Sequence, residues 1–502
     1  MPNTIRYTRD GDYKDTGSRE VTGFPTDPTH DYELRRVVGS FYVRDLTTGV
    51  TQQLYDDEMN HVLMDLSDGL YVDFSDTTGA VTLNGGDKGD VLIGGSGDDT
   101  LNGGGGDDVL EGGAGFDMID GGAGFNTVSY AHATEAVVYS EVSFIPPAGD
   151  AAGDLMSNIQ ALIGSDFDDA FYVTRSLVIE GGAGADTIYR NFAGVSALTA
   201  SYAHSAAGVT VDLTAGTGVG GDAEGDVLYG VTALIGSRNA DTLIGAATNS
   251  TLRGGGGEDT ITGGAGNDTI AVTGKWASID GGGGFDRLFV RAGGGSPDGI
   301  QPAAGALVNV EKVIVASGAA LDLSQQSAID GSIKVNSRAD DLSAVFGTRF
   351  DDRIVGGAGT DFLIGGGGRD RLTGGQGSDV FGFLGLGPQG VITDFSGHNG
   401  DQDKILFFGG AAPAFVEAFS GGGDAEVRTE TRAPGVQIVL FDYDGDGRSD
   451  VSIRVLATDA LTADDFFSFP GPGGPGGEQV AGLAPHQAFA EMLQAHDIAG
   501  LV

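Results

Sequence analysis

Between residues 85 and 129 a unit of nine residues repeats five times without a gap, as GGDKGDVLI, GGSGDDTLN, GGGGDDVLE, GGAGFDMID and GGAGFNTVS. Position 6 carries Asp90, Asp99, Asp108, Asp117 and then Asn126, and position 8 carries Leu92, Leu101, Leu110, Ile119 and Val128. A period of nine fits neither the 3.6-residue stripe of an amphipathic helix nor a heptad. It fits a turn followed by a short strand, repeated. Glycines supply turns with positive φ at no steric cost, and the aliphatic at position 8 fills the space between two layers of strands. Two units then make one coil of a parallel β-roll, so units i and i+2 lie on the same side. Asp99 and Asp117 are expected on one side and Asp108 on the other.

That stacking brings carboxylates and turn carbonyls together in each gap between coils. A flexible set of six or so hard oxygens is what Ca²⁺ prefers. Zinc favours Cys or His, and this stretch has neither. On these residues the chain resembles the RTX (repeat-in-toxin) family of secreted calcium-binding proteins, whose signature is GGxGxDxUx. The resemblance implies an all-β parallel β-roll or β-helix solenoid with several bound Ca²⁺ ions.

Further units follow. Asp169 in GSDFDDAFY and Asp186 in GGAGADTIY are degenerate examples, and residues 236–289 hold six units with Asp241, Asp259, Asp268 and Asp286 at position 6. Ser250 and Ala277 take that position in the other two, which are expected to bind weakly or not at all. The last array, GTRFDDRIV, GGAGTDFLI, GGGGRDRLT and GGQGSDVFG, carries Asp352, Asp361, Asp370 and Asp379. Beyond it, VITDFSGHNGDQDKILF is similar to the segment that closes the roll in RTX proteases and lipases, which makes Asp394, Asp401 and Asp403 candidate ligands. In FDYDGDGRSDVSIRV, Asp442, Asp444, Asp446 and Asp450 have the spacing of half an EF-hand loop. Ile453 stands where the loop's twelfth-position Glu belongs, so a β-hairpin with one calcium or none is expected.

A longer repeat overlies this pattern: Ser129-Tyr130-Ala131-His132 recurs as Ser201-Tyr202-Ala203-His204, and Gly153-Asp154 recurs as Gly225-Asp226, each 72 residues on. Since 72 is eight units of nine, these segments read as wider rungs that keep register with the coil. The paired Tyr and His invite a catalytic reading; a packed tyrosine and a surface histidine at a repeated corner is the expected one. Residues 1–84 alternate in SFYVRD and VTQQLY, then in VLMDL and LYVDF, which predicts two β-hairpins. They form a small antiparallel β unit that could serve as a cap, a binding module or part of an enzyme. The expected domains are therefore 1–84; β-roll 85–129; β-helix rungs 130–235; β-roll 236–305; metal-free rungs 306–346; β-roll 347–382; closure 383–469; and a Gly/Pro linker and tail 470–502, with a short helix after Pro485.

Charge narrows the partners. A formal net charge of -44 argues against nucleic acid and anionic membrane, and predicts a chain that repels itself until cations arrive. There is no cysteine, so stability must come from metal and stacking. The N-terminal sequence has no apolar signal core, and no stretch is apolar enough to span a membrane. Together with the RTX resemblance this implies a type I secretion substrate, extracellular or at the cell surface, with its signal near the C-terminus. No HExxH, GxSxG or P-loop occurs. Two roles stay open: a structural, surface-layer or adhesin/matrix-like protein, which could self-assemble or bind cell-surface polysaccharide, and a polysaccharide-active lyase, epimerase or hydrolase.

Overall fold

The computed structural model describes residues 78–190, 197–292, 300–326, 329, 332–338, 341–383, 387–397, 401–408, 414–442, 445–457 and 459–469, together with residues 70–75 and the backbone of short strands between residues 3 and 63. Among the described residues there is no α-helix; strands of mostly three to five residues alternate with turns. The chain divides into two units, residues 1–235 and 236–502.

In the first unit, Val91–Ile93 pairs in parallel with Val109–Glu111, and Thr100–Asn102 pairs with Met118–Asp120, each with a register of eighteen residues. Two nonapeptides therefore make one coil. Leu92, Leu101 and Leu110 at position 8 are 0% exposed. Each contributes about 1.5–3 kcal/mol by leaving water, and the layer between the two sheets holds little else. The turns need glycine on two counts, visible at Gly104: its φ is +96°, and a Cβ there would run into the Gly86 carbonyl of the preceding coil.

After the first array the coils widen but the stacking persists. Thr127–Ser129 pairs with Ala161–Ile163, then Val178–Glu180, Thr199–Ser201 and Ala233–Ile235 follow in order, all parallel. The steps from Thr127 to Ala161, to Val178 and to Thr199 are 34, 17 and 21 residues. The 72-residue repeat is thus three coils rather than eight nonapeptides: one coil carries an excursion that includes the 3-10 turn Gly149–Ala151, repeated as Gly221–Ala223.

The N-terminal region corrects one expectation. Ser40–Asp45 does form an antiparallel hairpin with Thr51–Leu54, and Tyr32–Val37 pairs on its other edge. The second expected hairpin is not formed: Val62–Leu63 pairs in parallel with Thr82–Asn84, and Leu70–Asp73 in parallel with Val91–Ile93. The period-2 pattern that suggested a hairpin serves equally well as a rung, and the next coil offers both segments a parallel edge.

In the second unit one sheet stacks Thr251–Arg253, Thr269–Thr273, Arg287–Arg291, Lys312–Ala316 and Ser332–Asn336 in parallel. It continues through Arg353–Val355 and Arg371–Thr373 to Gly387–Phe395. The facing strands include Leu342–Phe346, Thr360–Ile364, Val380–Gly382, Lys404–Phe408 and Phe466–Phe469. Glu426–Ala433, Val436–Asp442 and Val451–Ala457 form an antiparallel meander, whose last strand lies parallel to Gly387–Phe395. The linker from 470 and the helix expected after Pro485 lie outside the described residues.

Candidate metal centres

Each position-6 aspartate lies at the inner edge of its turn, where backbone amides fix one or both of its oxygens. Asp90 Oδ2 accepts from the Gly86 N–H at 2.7 Å, four residues back, and Asp99 does the same with Gly95. The other oxygen reaches the previous coil: Asp108 Oδ1 accepts from the Asp90 N–H and Asp117 Oδ1 from the Asp99 N–H, both at 2.7 Å. The result is a carboxylate ladder along each side of the roll, with Asp99 and Asp117 on one side and Asp90 and Asp108 on the other. In the second unit Asp259 accepts from Asp241, Asp268 from Ser250, and Asp286 from Asp268. Asp370 accepts from Asp352, Asp379 from Asp361, and Asp403 from Asp379.

The ladder runs beyond the arrays through residues that nonapeptide spacing does not mark. Asp154 accepts from the Asp117 N–H, Asp226 from Asp186, Gln160 from Asn126, and Glu311 from Asp286. Tyr130 and Tyr202 donate their hydroxyls to Asp154 and Asp226, so the repeated tyrosines are packed ladder supports. The degenerate Asp169 takes the Val137 N–H and passes its own N–H to Asp186. Ser250 receives the Ala246 N–H and gives its hydroxyl to the Thr248 carbonyl, so that turn is closed by local bonds. Asp394 stands off the ladder and accepts from the Gly374 and Gly375 N–H groups. Asp442 is buried and accepts from the Asp446 and Gly447 N–H groups, while Asp450 follows in the same loop. Asp444 lies outside the described residues.

The electrostatics of the ladder are unfavourable as they stand. Nine ladder aspartates, Asp108, Asp117, Asp186, Asp268, Asp286, Asp352, Asp361, Asp370 and Asp379, each keep one buried carboxylate oxygen with no hydrogen-bond donor. Burial, reinforced by neighbouring carboxylates, pushes Asp117 and Asp186 up to about 8 and Asp379 up to about 9. In Asp108, Asp268 and Asp286 the unpartnered oxygen and a backbone carbonyl of the next coil both crowd the glycine of position 1. A methyl group on Gly263 would lie 2.6 Å from Asp268 Oδ2 and would also run into the Gly281 carbonyl of the next coil. Among the described residues no three His, Asp or Glu side chains converge. A cation here would therefore draw most of its oxygens from backbone carbonyls. That donor set fits Ca²⁺ and fits neither zinc nor a softer metal.

Comparison with known families decides the point. The model of the RTX calcium-binding nonapeptide repeat, four copies long, matches residues 84–119, 93–128, 178–191, 235–270 and 346–381. The chain carries RTX calcium-binding repeats. These RTX repeats bind Ca²⁺ at multiple sites, and they indicate a secreted calcium-binding protein. No curated protein matches the chain. Among solved structures, the extracellular lipase LipA from Serratia marcescens matches 82% of this chain at 14% identity with a TM-score of 0.19. The chain spans 45% of that lipase's length. No helix among the described residues is long and apolar enough to cross a membrane.

Proposed function

We propose that this RTX protein is a secreted structural or adhesive component, of the surface-layer or matrix kind, which folds when it meets calcium outside the cell. In this reading type I secretion machinery exports the open chain. The ladder aspartates, from Asp90 to Asp117, Asp169 and Asp186, Asp241 to Asp286, and Asp352 to Asp403, then hold calcium with the turn carbonyls. The observation that carries the adhesive role is a set of exposed aromatics on the turns. Phe116 and Phe285 stand at position 5 of their units beside a ladder aspartate, Phe125 at position 5 beside Asn126, and Phe167 and Phe350 at position 4, all exposed on the turns. A protein that worked as a solitary monomer would gain nothing from exposing them, whereas an assembly or a cell-surface partner would cover them.

A second reading, a polysaccharide-active enzyme, is favoured by the repeated corner. His132 Nδ1 lies 2.9 Å from Glu111 and His204 Nδ1 lies 2.9 Å from Glu180, with both imidazoles largely exposed. An exposed imidazole held by a carboxylate has the makings of a general base. Negative-stain electron microscopy of the purified protein in millimolar calcium separates the two. Sheets or filaments, lost when the position-5 phenylalanines are changed to Ser, are expected. Monodisperse particles that depolymerise an acidic or neutral polysaccharide, and lose that activity in a His132→Ala/His204→Ala variant, would overturn the structural reading.

A further inference from the structure

We infer that the coil leaving the second array holds a cation site that the nonapeptides mark only in part, formed by Asp286 of the array with Glu311 and the Asn309 carbonyl from beyond it, and that the matching corner of the first array is closed by the side-chain amide of Asn126. The inference rests on the reading that these turns hold calcium. The two corners are built alike. Asp286 passes its N–H to Glu311 at 2.6 Å, and Asn126 passes its N–H to Gln160 at 2.7 Å. Glu311 immediately precedes the rung Lys312–Ala316, and Gln160 immediately precedes the rung Ala161–Ile163. Two residues before each stands an asparagine with positive φ, Asn309 at 53° and Asn158 at 56°. Both asparagines donate Nδ2 at 2.7 Å to the aspartate that ends the previous strand, Asp280 in one case and Asp120 in the other. The left-handed turn gives each asparagine the conformation a repeat glycine would have and turns its carbonyl toward the array.

The corners differ in what meets that carbonyl. Beside Gly121, Asn126 Oδ1 accepts from the Asp108 N–H, which points Nδ2 at the Asn158 carbonyl, 3.1 Å away, and at the Gly122 carbonyl, 3.4 Å away. A methyl group on Gly121 would lie 2.6 Å from that nitrogen. The amide satisfies the carbonyls and adds no charge. Beside Gly281, a methyl group would run into the Asn309 carbonyl and lie 2.8 Å from Asp286 Oδ2, which is fully buried and has no donor. Oxygen faces oxygen there, with a second carboxylate on Glu311, and with the carboxylates ionised a cation relieves the arrangement. The chemistry of the donors, two carboxylates and backbone carbonyls, selects a hard divalent ion of calcium's kind.

The test uses the full chain, dialysed to equilibrium in calcium, with bound ions counted by elemental analysis and strand content followed by circular dichroism. Gln can accept the Asp286 N–H as Gln160 accepts that of Asn126, so Glu311→Gln should fold in calcium and bind one ion fewer than the parent. The reciprocal Asn126→Asp/Gln160→Glu variant should bind one ion more. A Glu311→Gln protein with the parent's ion count, or a double variant that gains none, overturns the inference. A parent that binds no calcium at all overturns the underlying reading instead, so the two failures are distinguishable.

Discussion

In EDTA the protein is expected to lose its strand signal and expand, and millimolar calcium should restore both. Nine ladder aspartates bury an oxygen with no donor. Leaving a charge buried and uncompensated costs several kcal/mol even after relaxation. Once all nine are ionised, such terms exceed the roughly 5–15 kcal/mol that holds an ordinary domain together. In the first array the apolar layer offsets little of this, because each coil there contributes little more than a pair of fully buried aliphatics such as Leu101 and Leu110. Fourteen aspartates occupy position 6 across the arrays, so on the order of ten ions could offset about twenty negative charges, in keeping with carboxylate-rich oxygen sites. Far-UV circular dichroism with and without EDTA checks this; an identical spectrum and melting curve in both would contradict it.

Protons should compete with calcium for the same oxygens, and the direction follows from the ladder. Burial raises Asp99, Asp108, Asp352 and Asp361 to about 6, Asp259, Asp370 and Asp403 to about 7, Asp117 and Asp186 to about 8, and Asp379 to about 9. A carboxyl whose folded value lies above its unfolded one binds its proton more tightly when folded. Without calcium, the stabilisation by protonation is complete below the ordinary value near 4, falls as pH rises above it, and is gone for each carboxyl once pH passes its folded value, from about 6 for Asp99 to about 9 for Asp379. The calcium-free chain should therefore be most compact in acid and open by pH 9. Calcium displaces these protons, so the calcium midpoint for folding should rise about tenfold or more between pH 8 and pH 6, and binding near pH 7 should release protons into a weak buffer. A midpoint that does not move with pH would contradict this.

The coil, its two-unit register and the inward aliphatics were legible because each is a local rule repeated without a gap. Position 8 goes inward and position 6 meets its counterpart eighteen residues away, wherever the count is kept. What escaped is what the excursions bring back into line. Asp154, Asp226, Gln160 and Glu311 rejoin the ladder at separations of 37, 40, 34 and 25 residues, where no fixed period leads. The 72-residue repeat did contain a signal, since Asp154 and Asp226 recur together with the Tyr130 and Tyr202 that hold them. Nothing in VNVEKVIV set Glu311 apart from a surface carboxylate. The strands Val62–Leu63 and Leu70–Asp73 were misplaced because alternation alone does not distinguish an antiparallel hairpin from two parallel rungs.

We propose that the ladder carboxylates hold calcium between coils. Anomalous diffraction from crystals grown in millimolar calcium tests it most directly. Ions should appear in the gaps of each array, about 2.3–2.6 Å from ladder oxygens such as Asp117 Oδ2, Asp268 Oδ2 and Asp370 Oδ2. A folded roll with no anomalous peaks along the ladder, or with calcium confined to the loop that begins at Asp442, would contradict it.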